Sequence, residues 1–370
     1  MTGKVAYIVA PDGQAGGGMG RVKDYIVESR HNGASGIRFE PLVTRDGRGF
    51  AVSIWLTIRA VLLIWWMRIT GRLAFVHVNF GDRASAVRKG FIVIMSRAAG
   101  TRVVLHLHAV ELHHQFAKGG PVLRLLIALP FRAATSVIVL GDVWRRWLTD
   151  EVGIPGDCID IVFNGVPVSV PPPRSFAAGE RAEMLFLGNL IERKGVTDLL
   201  EAVAALPADI PDWHLSLAGG GEIDRYRALA ANLGIADRLT FVGWVDQAGA
   251  RKLLLNADCL VLPSYDEGLP LVILEALGSA TPVICTPVGA IPEALEDGRT
   301  ALFCTPGDPA GLSARLVSII RQPQLRKQLS DAGRVAYLDR FSAEAFLKSL
   351  FDVYRRRLSA PVSTGEEGVS

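Results

Sequence analysis

The sequence has few cysteines, and they form no pattern. Its 370 residues include only four, with no close pair of metal-ligand type, at Cys158, Cys259, Cys285 and Cys304. Scattered thiols are typical of a reducing compartment and argue against a disulfide scaffold. The opening segment MTGKVAYIVA lacks the longer apolar core and cleavage site of a signal peptide and predicts a first strand. We therefore expect a cytoplasmic protein.

Several ligand-binding patterns are also missing. The chain contains no G-x-G-x-x-G dinucleotide fingerprint, no G-x-x-x-x-G-K phosphate loop and no Asp-x-Asp triplet. It shows no finger, RRM or helix-turn-helix signal, which argues against nucleic-acid binding. The missing dinucleotide fingerprint counts against one class of two-domain enzyme, the nicotinamide oxidoreductases.

No apolar run is long enough to be read simply as a membrane span. In residues 51–69 the longest uninterrupted run, AVLLIWWM, is far shorter than the ~20 residues required. A buried helix, an interfacial helix and a transmembrane helix all stay open. At an interface, three tryptophans would lie at headgroup level and three arginines would contact lipid phosphates. These are Trp55, Trp65, Trp66, Arg59, Arg68 and Arg72.

Charge is unevenly distributed along the chain. Residues 1–165 carry 20 Lys+Arg and 12 Asp+Glu, whereas residues 166–370 carry 20 and 25. A basic first half suits an anionic partner, either a membrane surface or a phosphorylated substrate, although ordinary solvated arginines would give the same count.

Short apolar runs alternate with amphipathic stretches, which predicts βα units and two doubly wound Rossmann-like domains facing a cleft. Ligands of such sheets lie beyond the C-terminal ends of the strands. We place the first domain at 1–166, a Pro-rich linker at 167–181 and the second domain at 182–342. A C-terminal helix at 343–358 is expected to return to the first domain, followed by a disordered tail at 359–370. Ten strands are predicted: KVAYIVA, LAFVHVN, RVVLHLH, SVIVLG, DIVFN, MLFLG, HLSLAG, LTFVG, CLVLPS and PVICT.

Two loops are candidate phosphate sites. The first strand leads into a glycine cluster that includes Gly17 and Gly18, where backbone can approach an anion closely. Arg193 and Lys194 follow the first strand of the second domain and precede a helix that starts near Val196. Cations beside free backbone N–H groups favour a diphosphate.

Two glutamates eight positions apart form a further pattern. Glu267 lies in a polar loop before Gly268, Leu269 and Pro270, and Glu275 lies within the apolar run that follows. A buried carboxylate needs hydrogen-bond donors, which the two hydroxyls of a ribose would supply. The alternatives are an ion pair with an arginine for Glu275 and helix capping for Glu267.

Histidines cluster in RVVLHLHAVELHHQF. We expect His108 at its strand end to reach the cleft, and His113 and His114 to be surface residues. A metal cluster is disfavoured because no carboxylate or cysteine has matching spacing.

The motifs together resemble one known family. SYDEGLPLVILEALGSATPVICTPVGAIPEAL resembles the Glu-x7-Glu segment of retaining glycosyltransferases of family 4, which have the GT-B fold. FLGNLIERKGVTDLLEA, LAGGGE, FVGWV and GGGMGR match further blocks in the same order. HVNFGDRASAVRKG, LHLHAVELHHQF and NGVPV are similar to enzymes of bacterial exopolysaccharide assembly, some of which transfer mannose from GDP-mannose to a polyprenyl-diphosphate-linked oligosaccharide.

The resemblance implies an acceptor-binding first domain, a donor-binding second domain and a role for each matched residue. Arg193 and Lys194 would bind the donor diphosphate, and Glu275 the ribose. Glu267, with the backbone of Gly268, Leu269 and Pro270, would contact the donor sugar and diphosphate. His108 would contact the sugar, Gly17 and Gly18 would approach the diphosphate, and the backbone near Val245 would meet the base. We assign catalytic roles to Glu267, His108, Arg193 and Lys194.

The expected activity is retaining hexosyl transfer without a metal or cofactor. The donor would be a nucleotide sugar, with GDP-mannose favoured over a UDP-sugar, and the acceptor a lipid-linked oligosaccharide. The enzyme would be cytoplasmic or peripheral on the inner face of the cytoplasmic membrane. A non-catalytic sugar-nucleotide-binding scaffold is the remaining alternative, and the presence of Arg193, Lys194, Glu267 and Glu275 argues against it.

Overall fold

Two parallel sheets organise the chain. The structure, a computed structural model, describes residues 4–12, 17–29, 37–171, 176 and 181–358. Apolar runs rich in Val, Ile and Leu form the central strands, which are almost fully buried because helices pack on the sheets. The predicted α/β class with two Rossmann-like sheets is therefore confirmed.

The first sheet has the strand order β2-β1-β3-β4-β5-β6, all parallel. A π-helical turn at Trp147–Val152 and a 3₁₀ turn at Gly156–Cys158 precede its last strand. Its elements are β1 Lys4–Ala10, α1 Gly17–Val27, β2 Ile37–Val43, α2 Phe50–Ile69, β3 Leu73–Phe80, α3 Ala84–Ala98, β4 Val103–Leu107, α4 Leu112–Lys118, α5 Pro121–Ala133, β5 Ser136–Val139, α6 Asp142–Arg146 and β6 Ile159–Ile161.

The second sheet has the order β12-β11-β10-β7-β8-β9, also all parallel. Its elements are β7 Ala182–Leu187, α7 Val196–Ala204, β8 Trp213–Ala218, α8 Ile223–Asn232, β9 Leu239–Gly243, α9 Gln247–Asn256, β10 Cys259–Leu262, α10 Leu271–Gly278, β11 Val283–Cys285, α11 Ile291–Ala294, β12 Leu302–Phe303, α12 Pro309–Arg321 and α13 Pro323–Ala336. A π-helical turn at Tyr337–Phe341 then leads to α14, Ala343–Leu358.

The strand orders fix where ligands can bind. Strand order reverses between β1 and β3 in the first sheet and between β7 and β10 in the second. In open α/β sheets the crevice beyond such a switch point is the binding position. The loops after these four strands therefore line the expected site.

Two strands were not predicted. β2 contains Pro41 and alternates charged with apolar residues, but it is an edge strand, where a missing N–H is tolerated. β12 has only two residues and is an edge strand of the second sheet. Both were missed because an edge strand needs little apolar surface.

The chain passes between the domains at two segments, which lie side by side near Val166 and Ser342. Val166 donates its N–H to the carbonyl of Phe341, and Ala343 donates to the carbonyl of Val166. The helix α14 then packs on the first sheet through Phe351 and Tyr354, whose rings contact Phe39. Residues 172–175 and 177–180 of the predicted linker lie outside the described residues, and so does the predicted tail, 359–370.

The helix α2 is partly a core helix. Its inner face is buried, and the helix packs on β2, β3 and α3. Its outer face exposes eight large apolar side chains: Phe50, Ile54, Trp55, Ile58, Leu62, Trp65, Trp66 and Ile69. By length and composition the helix could cross a membrane, which is weak evidence alone. Because one face belongs to the domain core, the structure favours the buried and interfacial interpretations over a transmembrane one.

Candidate active site

Two cations follow the first strand of the second domain. Arg193 and Lys194 lie on a 3₁₀ turn, Glu192–Lys194, that connects β7 to α7. Gly195 then adopts φ 68°, and a Cβ there would lie 2.0 Å from the carbonyl oxygen of Pro263, so only glycine fits. This close approach holds both cations against the loop after β10, at the switch point.

The Glu267 carboxylate is buried and already has hydrogen-bond partners. Its Oε1 accepts from Lys194 Nζ and, at 2.7 Å, from Ser264 Oγ. The helix α10 begins at Leu271 after Pro270 and has no side-chain N-cap, so the capping role considered for Glu267 is not observed. The residue instead joins the loops after the two central strands β7 and β10.

The Glu275 carboxylate is buried in α10 and pairs with Arg21 of α1, in the other domain. Burial raises the pKa of Glu275, and the neighbouring guanidinium of Arg21 partly offsets the rise. The ion-pair alternative raised for this residue is thus the contact that the structure contains. The ribose role stays a prediction, and it requires sugar hydroxyls to share or displace Arg21.

The two domains meet at this site. A Cβ on Gly18, near the start of α1 at Gly17, would lie 3.4 Å from the side chain of Leu271. A Cβ on Gly268 would likewise lie 3.2 Å from the side chain of Leu140, in the first domain. The side chain of Asn164 donates to the carbonyl of Leu269 at 3.1 Å. Gly18 thus lies directly opposite the N-terminus of α10, as a site shared between the domains requires. Residues 13–16 of the predicted glycine-rich loop lie outside the described residues.

His108 lies half-buried at the end of β4 and belongs to a hydrogen-bonded chain. Asn79 donates its side-chain N–H to the Met19 carbonyl, so its Oδ1 accepts from His108 Nε2 at 3.3 Å and from His77 Nε2 at 2.9 Å. Tyr354 donates to His77 Nδ1 at 2.8 Å. This pattern places the His108 proton on Nε2 and leaves Nδ1 as an acceptor.

Burial keeps these imidazoles neutral. It lowers the pKa of His108 to about 3 and that of His77 to about 4. His106 is fully buried, and neither of its ring nitrogens has a partner within the described part of the chain. His108 is therefore the member of this pair that can reach a ligand at the strand end.

His113 and His114 were expected to be surface residues. His114 is exposed, with its Nε2 3.3 Å from an Asp266 carboxylate oxygen, but His113 is half-buried. Burial raises the pKa of Asp266, while the two histidines and Arg193 lower it. Ligand atoms of the three residues lie within 4.8 Å of one another, which is close enough to share a metal ion. The sequence shows no metal-ligand spacing here because the carboxylate, that of Asp266, comes from the other domain.

Val245 lies apart from the other site residues in the sheet order. It is half-buried in the loop between β9 and α9, and β9 is an edge strand two positions from β7. A ligand that reached both Lys194 and Val245 would have to extend along the C-terminal edge of this sheet.

Three functional candidates were not singled out from the sequence. Arg21 was part of a quoted motif, yet nothing local revealed Glu275 as its partner. Lys89 is only 1% exposed, and the polar contact of its Nζ is Met19 Sδ at 3.9 Å. Burial lowers the pKa of Lys89 to about 7. A lysine buried beside Met19 of α1 with a lowered pKa is typical of functional positions.

The third is Glu293 of α11. Its carboxylate accepts the backbone N–H groups of Asp142 and Val143, the latter at 2.8 Å. The helix α6 has no side-chain cap of its own, so a residue of the second domain caps a helix of the first.

A comparison with family models identifies the region that holds the cations and glutamates. Residues 172–336 match the family described as glycosyl transferases group 1. The matched region includes Arg193, Lys194, Glu267 and Glu275.

Curated glycosyltransferases are similar over about half of their length. Glycogen synthase of Mycobacterium tuberculosis is 32% identical over 230 residues, which cover 60% of this chain and 54% of that protein. Phosphatidyl-myo-inositol mannosyltransferase of Mycobacterium leprae is 32% identical over 204 residues, covering 54% and 53%. The chain thus spans about half the length of the curated relatives it matches.

Solved structures share the fold along almost the whole chain. Sucrose-phosphate synthase from Thermosynechococcus elongatus superposes with a TM-score of 0.76 at 19% identity, covering 95% of this chain and 98% of that one. Anabaena HepE in complex with UDP and glucose gives a TM-score of 0.75 at 16% identity, covering 95% and 100%. The two-sheet architecture is therefore that of these GT-B proteins.

Proposed function

We propose that the protein is a retaining glycosyltransferase that moves a hexose from a nucleotide sugar to a lipid-linked oligosaccharide. One observation carries the proposal: the two cations after β7 and the two buried glutamates of the β10 loop and α10 lie at a domain cleft, where Lys194 pairs with Glu267 and Glu275 pairs with Arg21 of α1. Leu271 faces Gly18 across the same cleft. Such a cleft can enclose a donor between the sheets and leave its sugar open to an acceptor.

The cations are suited to a leaving diphosphate. Negative charge builds on that group as the bond to the sugar breaks, and fixed cations and helix N-termini stabilise it. Arg193 and Lys194 carry two positive charges, and α10 directs its N-terminus toward the same cleft. This charge balance supports transfer without a metal or cofactor.

The glutamate contacts argue against a double-displacement pair. That mechanism uses one carboxylate as nucleophile and a second as acid, with the two about 5 Å apart. Glu275 is held by Arg21, and one Glu267 oxygen is held by Lys194 and Ser264. We propose front-side attack, in which a donor diphosphate oxygen takes the acceptor proton. A covalent glycosyl-enzyme trapped at Glu267 would contradict it.

Neutral His108 would then hold the donor sugar. Its Nε2 proton is committed to Asn79, so its Nδ1 can accept a hydrogen bond from a sugar hydroxyl. The low pKa of the buried ring means that this role would persist across the physiological pH range.

The donor and acceptor are proposed on similarity. The similar phosphatidyl-myo-inositol mannosyltransferase of Mycobacterium leprae is named for mannose and a lipid, which supports transfer of mannose to a lipid-linked acceptor. We propose GDP-mannose as the donor. The structure of HepE with UDP and glucose supports the alternative, a UDP-sugar and another acceptor. Exopolysaccharide or another cell-surface glycan is the product class that fits either choice.

A membrane location is proposed from the surface of the first domain. Of the 24 exposed large apolar side chains among the described residues, 16 lie on α2, α3 and α5. The helix α3 packs between the other two, so the three form one continuous face. Tryptophans on this face, such as Trp55 and Trp66, are suited to the headgroup region of a bilayer.

The charge around this face indicates which kind of membrane surface it would bind. Residues 50–141 contain 11 Lys+Arg but only two acidic residues, Asp82 and Glu111. Arg59 and Arg72 lie over the rings of Trp55 and Trp66, so cations accompany the apolar side chains. We propose that the three-helix face docks on an anionic lipid surface, on the cytoplasmic side of the membrane, where a lipid-linked acceptor would be presented.

The donor site is tested by binding and turnover. We expect UDP or GDP to raise the melting temperature, since a ligand at 100 times its Kd adds about 2.7 kcal/mol. We expect Lys194→Ala to lower the rate of nucleotide release from the matching nucleotide sugar by about 10²–10³-fold, and EDTA to leave that rate unchanged.

The matched control is Lys327→Ala, which removes an exposed lysine that pairs with Asp331. It should leave both measurements unchanged. Stabilisation by NAD instead of either nucleotide would favour the oxidoreductase alternative. Wild-type turnover in the Lys194→Ala variant would show that the site is wrongly assigned, and nucleotide binding without turnover would favour the scaffold.

A further inference from the structure

Two histidines of the first domain and one carboxylate of the second lie together at the domain cleft. Ligand atoms of His113, His114 and Asp266 are all within 4.8 Å of one another. The two imidazole rings have their centroids 3.8 Å apart, and His114 Nε2 lies 3.3 Å from an Asp266 carboxylate oxygen. None of the roles assigned above uses these three side chains.

The three side chains form a ligand set that zinc prefers. Zn²⁺ binds imidazole nitrogen and carboxylate oxygen at about 2.0–2.2 Å, so neighbouring ligands of a tetrahedral site lie about 3.4 Å apart. The 3.3 Å between His114 and Asp266 matches that separation, and a small rotation of the His113 side chain would bring the third ligand to it. Two imidazoles favour zinc over Mg²⁺ and Ca²⁺, which select oxygen ligands.

The turn that carries the histidines is held in place by the first domain. The Asp82 carboxylate accepts the backbone N–H groups of Val110 and Glu111, each at 2.9 Å. The helix α4 begins directly after this turn, and the two histidines are its second and third residues. Ligands whose backbone is already fixed lose less freedom when a metal binds.

The carboxylate is held in place by the second domain. Arg193 donates a hydrogen bond to the backbone carbonyl of Asp266, and the carbonyl of Arg193 accepts the N–H of Tyr265 at 2.9 Å. These contacts fix the main chain of Asp266, while its side chain contacts His114. Each half of the ligand set is therefore positioned by its own domain.

The charges around the three ligands favour a cation. Asp150 and Glu151 line the same interdomain cavity as His113 and Asp266, together with one guanidinium, that of Arg146. Arg146 is already paired with a carboxylate of its own helix at 2.9 Å. An excess of negative charge raises the local concentration of a divalent cation. Water would complete the coordination, as it does in zinc sites with three protein ligands.

We propose that His113, His114 and Asp266 form a zinc site that joins the two domains. One metal ion would tie α4 to the loop after β10 and hold the domains in the arrangement seen in the structure. None of the residues assigned to the diphosphate is a ligand, so the metal takes no part in the transfer proposed above. The zinc site therefore does not depend on that function.

The test is calorimetric titration of the full chain with ZnCl₂, after dialysis against EDTA and then against buffer without chelator. We expect one site per chain. Asp266→Asn and His114→Ala should each weaken it by more than about 100-fold, since loss of a partner of a metal ligand alone costs about 10–100-fold. Asp266→Glu keeps a carboxylate and should restore part of the affinity, and Mg²⁺ should not compete.

His214→Ala is the matched control. His214 also lies beside a carboxylate, with its Nδ1 3.1 Å from Glu183, but it belongs to no group of three potential ligands in the described part of the chain. This variant should bind zinc as the wild type does. Zinc should also raise the melting temperature of the wild type and of His214→Ala, but not that of Asp266→Asn. His114 is exposed and Asp266 half-buried, so we expect both ligand variants to fold.

The outcomes separate this proposal from the proposed function. Unchanged zinc affinity in Asp266→Asn would overturn the proposal, because the metal would then be held without the second domain. An equal loss of affinity in His214→Ala would point to nonspecific surface binding and would contradict it too. A failed zinc titration leaves the donor site intact, whereas failure of both UDP and GDP to bind would overturn the proposed function alone.

Discussion

At the residue scale, each conspicuous glutamate is neutralised by a cation from a distant part of the chain. Lys194 pairs with Glu267, and Arg21 pairs with Glu275. A carboxylate buried without such a partner would be strongly destabilising. Under the proposed function, a diphosphate would compete with these carboxylates for the cations, so donor binding would rearrange both pairs.

Lys89 gives a pH prediction. Its pKa is about 7 when folded and near 10.5 when unfolded, so between these values the unfolded chain binds the extra proton. The free energy of unfolding should therefore rise with pH across this window. Lys89→Met removes the buried charge, and we expect it to raise the melting temperature at pH 7 but to give little difference near pH 10.

The comparison is made by thermal melting across that pH range. Lys118→Met changes an exposed lysine of α4 and should keep the pH dependence of the wild type. An equal shift in melting temperature at both ends of the range for Lys89→Met would show that Lys89 is not the source of the dependence.

Much of the residue-level pattern could be predicted because it is local. The spacing of Glu267 and Glu275 and the adjacent pair Arg193–Lys194 are visible in a few residues of sequence. The partners of Glu275, Glu293 and Asp266 could not be predicted, because each contact joins segments more than 120 residues apart, in different domains.

At the scale of elements, α2 carries the membrane prediction. We expect the protein to float with liposomes that contain anionic lipid and to bind less at high salt, because exposed charge pairs are screened. Trp55→Ser/Trp66→Ser removes two indoles from the outer face, of which Trp55 is 59% exposed. The variant should lose flotation about tenfold or more, since each buried indole contributes more than 1 kcal/mol.

Trp244→Ser is the matched control, because that tryptophan is 73% exposed but lies in the second domain, after β9. Its flotation should equal that of the wild type. Equal flotation of the Trp55→Ser/Trp66→Ser variant would remove the docking proposal, and binding to neutral liposomes alone would contradict its charge component.

The element pattern also explains which parts of the fold were predictable. Central strands such as β1 and β10 are buried on both faces and form continuous apolar runs, which the sequence shows directly. β2 lies at an edge, carries charged residues and contains a proline, so its strand character depends on pairing with β1. The three-helix face of α2, α3 and α5 likewise appears only once these helices are packed together.

At the scale of the whole molecule, side-chain contacts hold the cleft between the domains. The cap that Glu293 provides to α6 is one of them. We expect Glu293→Ala to open the cleft, with a larger radius of gyration by small-angle X-ray scattering. Loss of one cap costs about 1 kcal/mol, so the melting temperature should fall by only a few degrees.

Glu296→Ala is the control, because Glu296 is exposed close to Glu293 and pairs with Arg299 of the same domain. It should leave the scattering profile unchanged. An unchanged profile for Glu293→Ala would mean that the remaining contacts are sufficient to hold the domains together.

The helix α14 is synthesised after both sheets, yet Tyr354 completes the chain of hydrogen bonds that ends at His108. A nascent first domain therefore emerges with Phe39 and Phe75 uncovered and His77 unpartnered. Its strands can pair early, but the hydrogen bonds at His77 and His108 cannot take their final form until the second domain has been made. Translation order thus makes the first domain the last to be finished, and an incomplete chain would expose an aromatic surface that invites chaperone binding or aggregation.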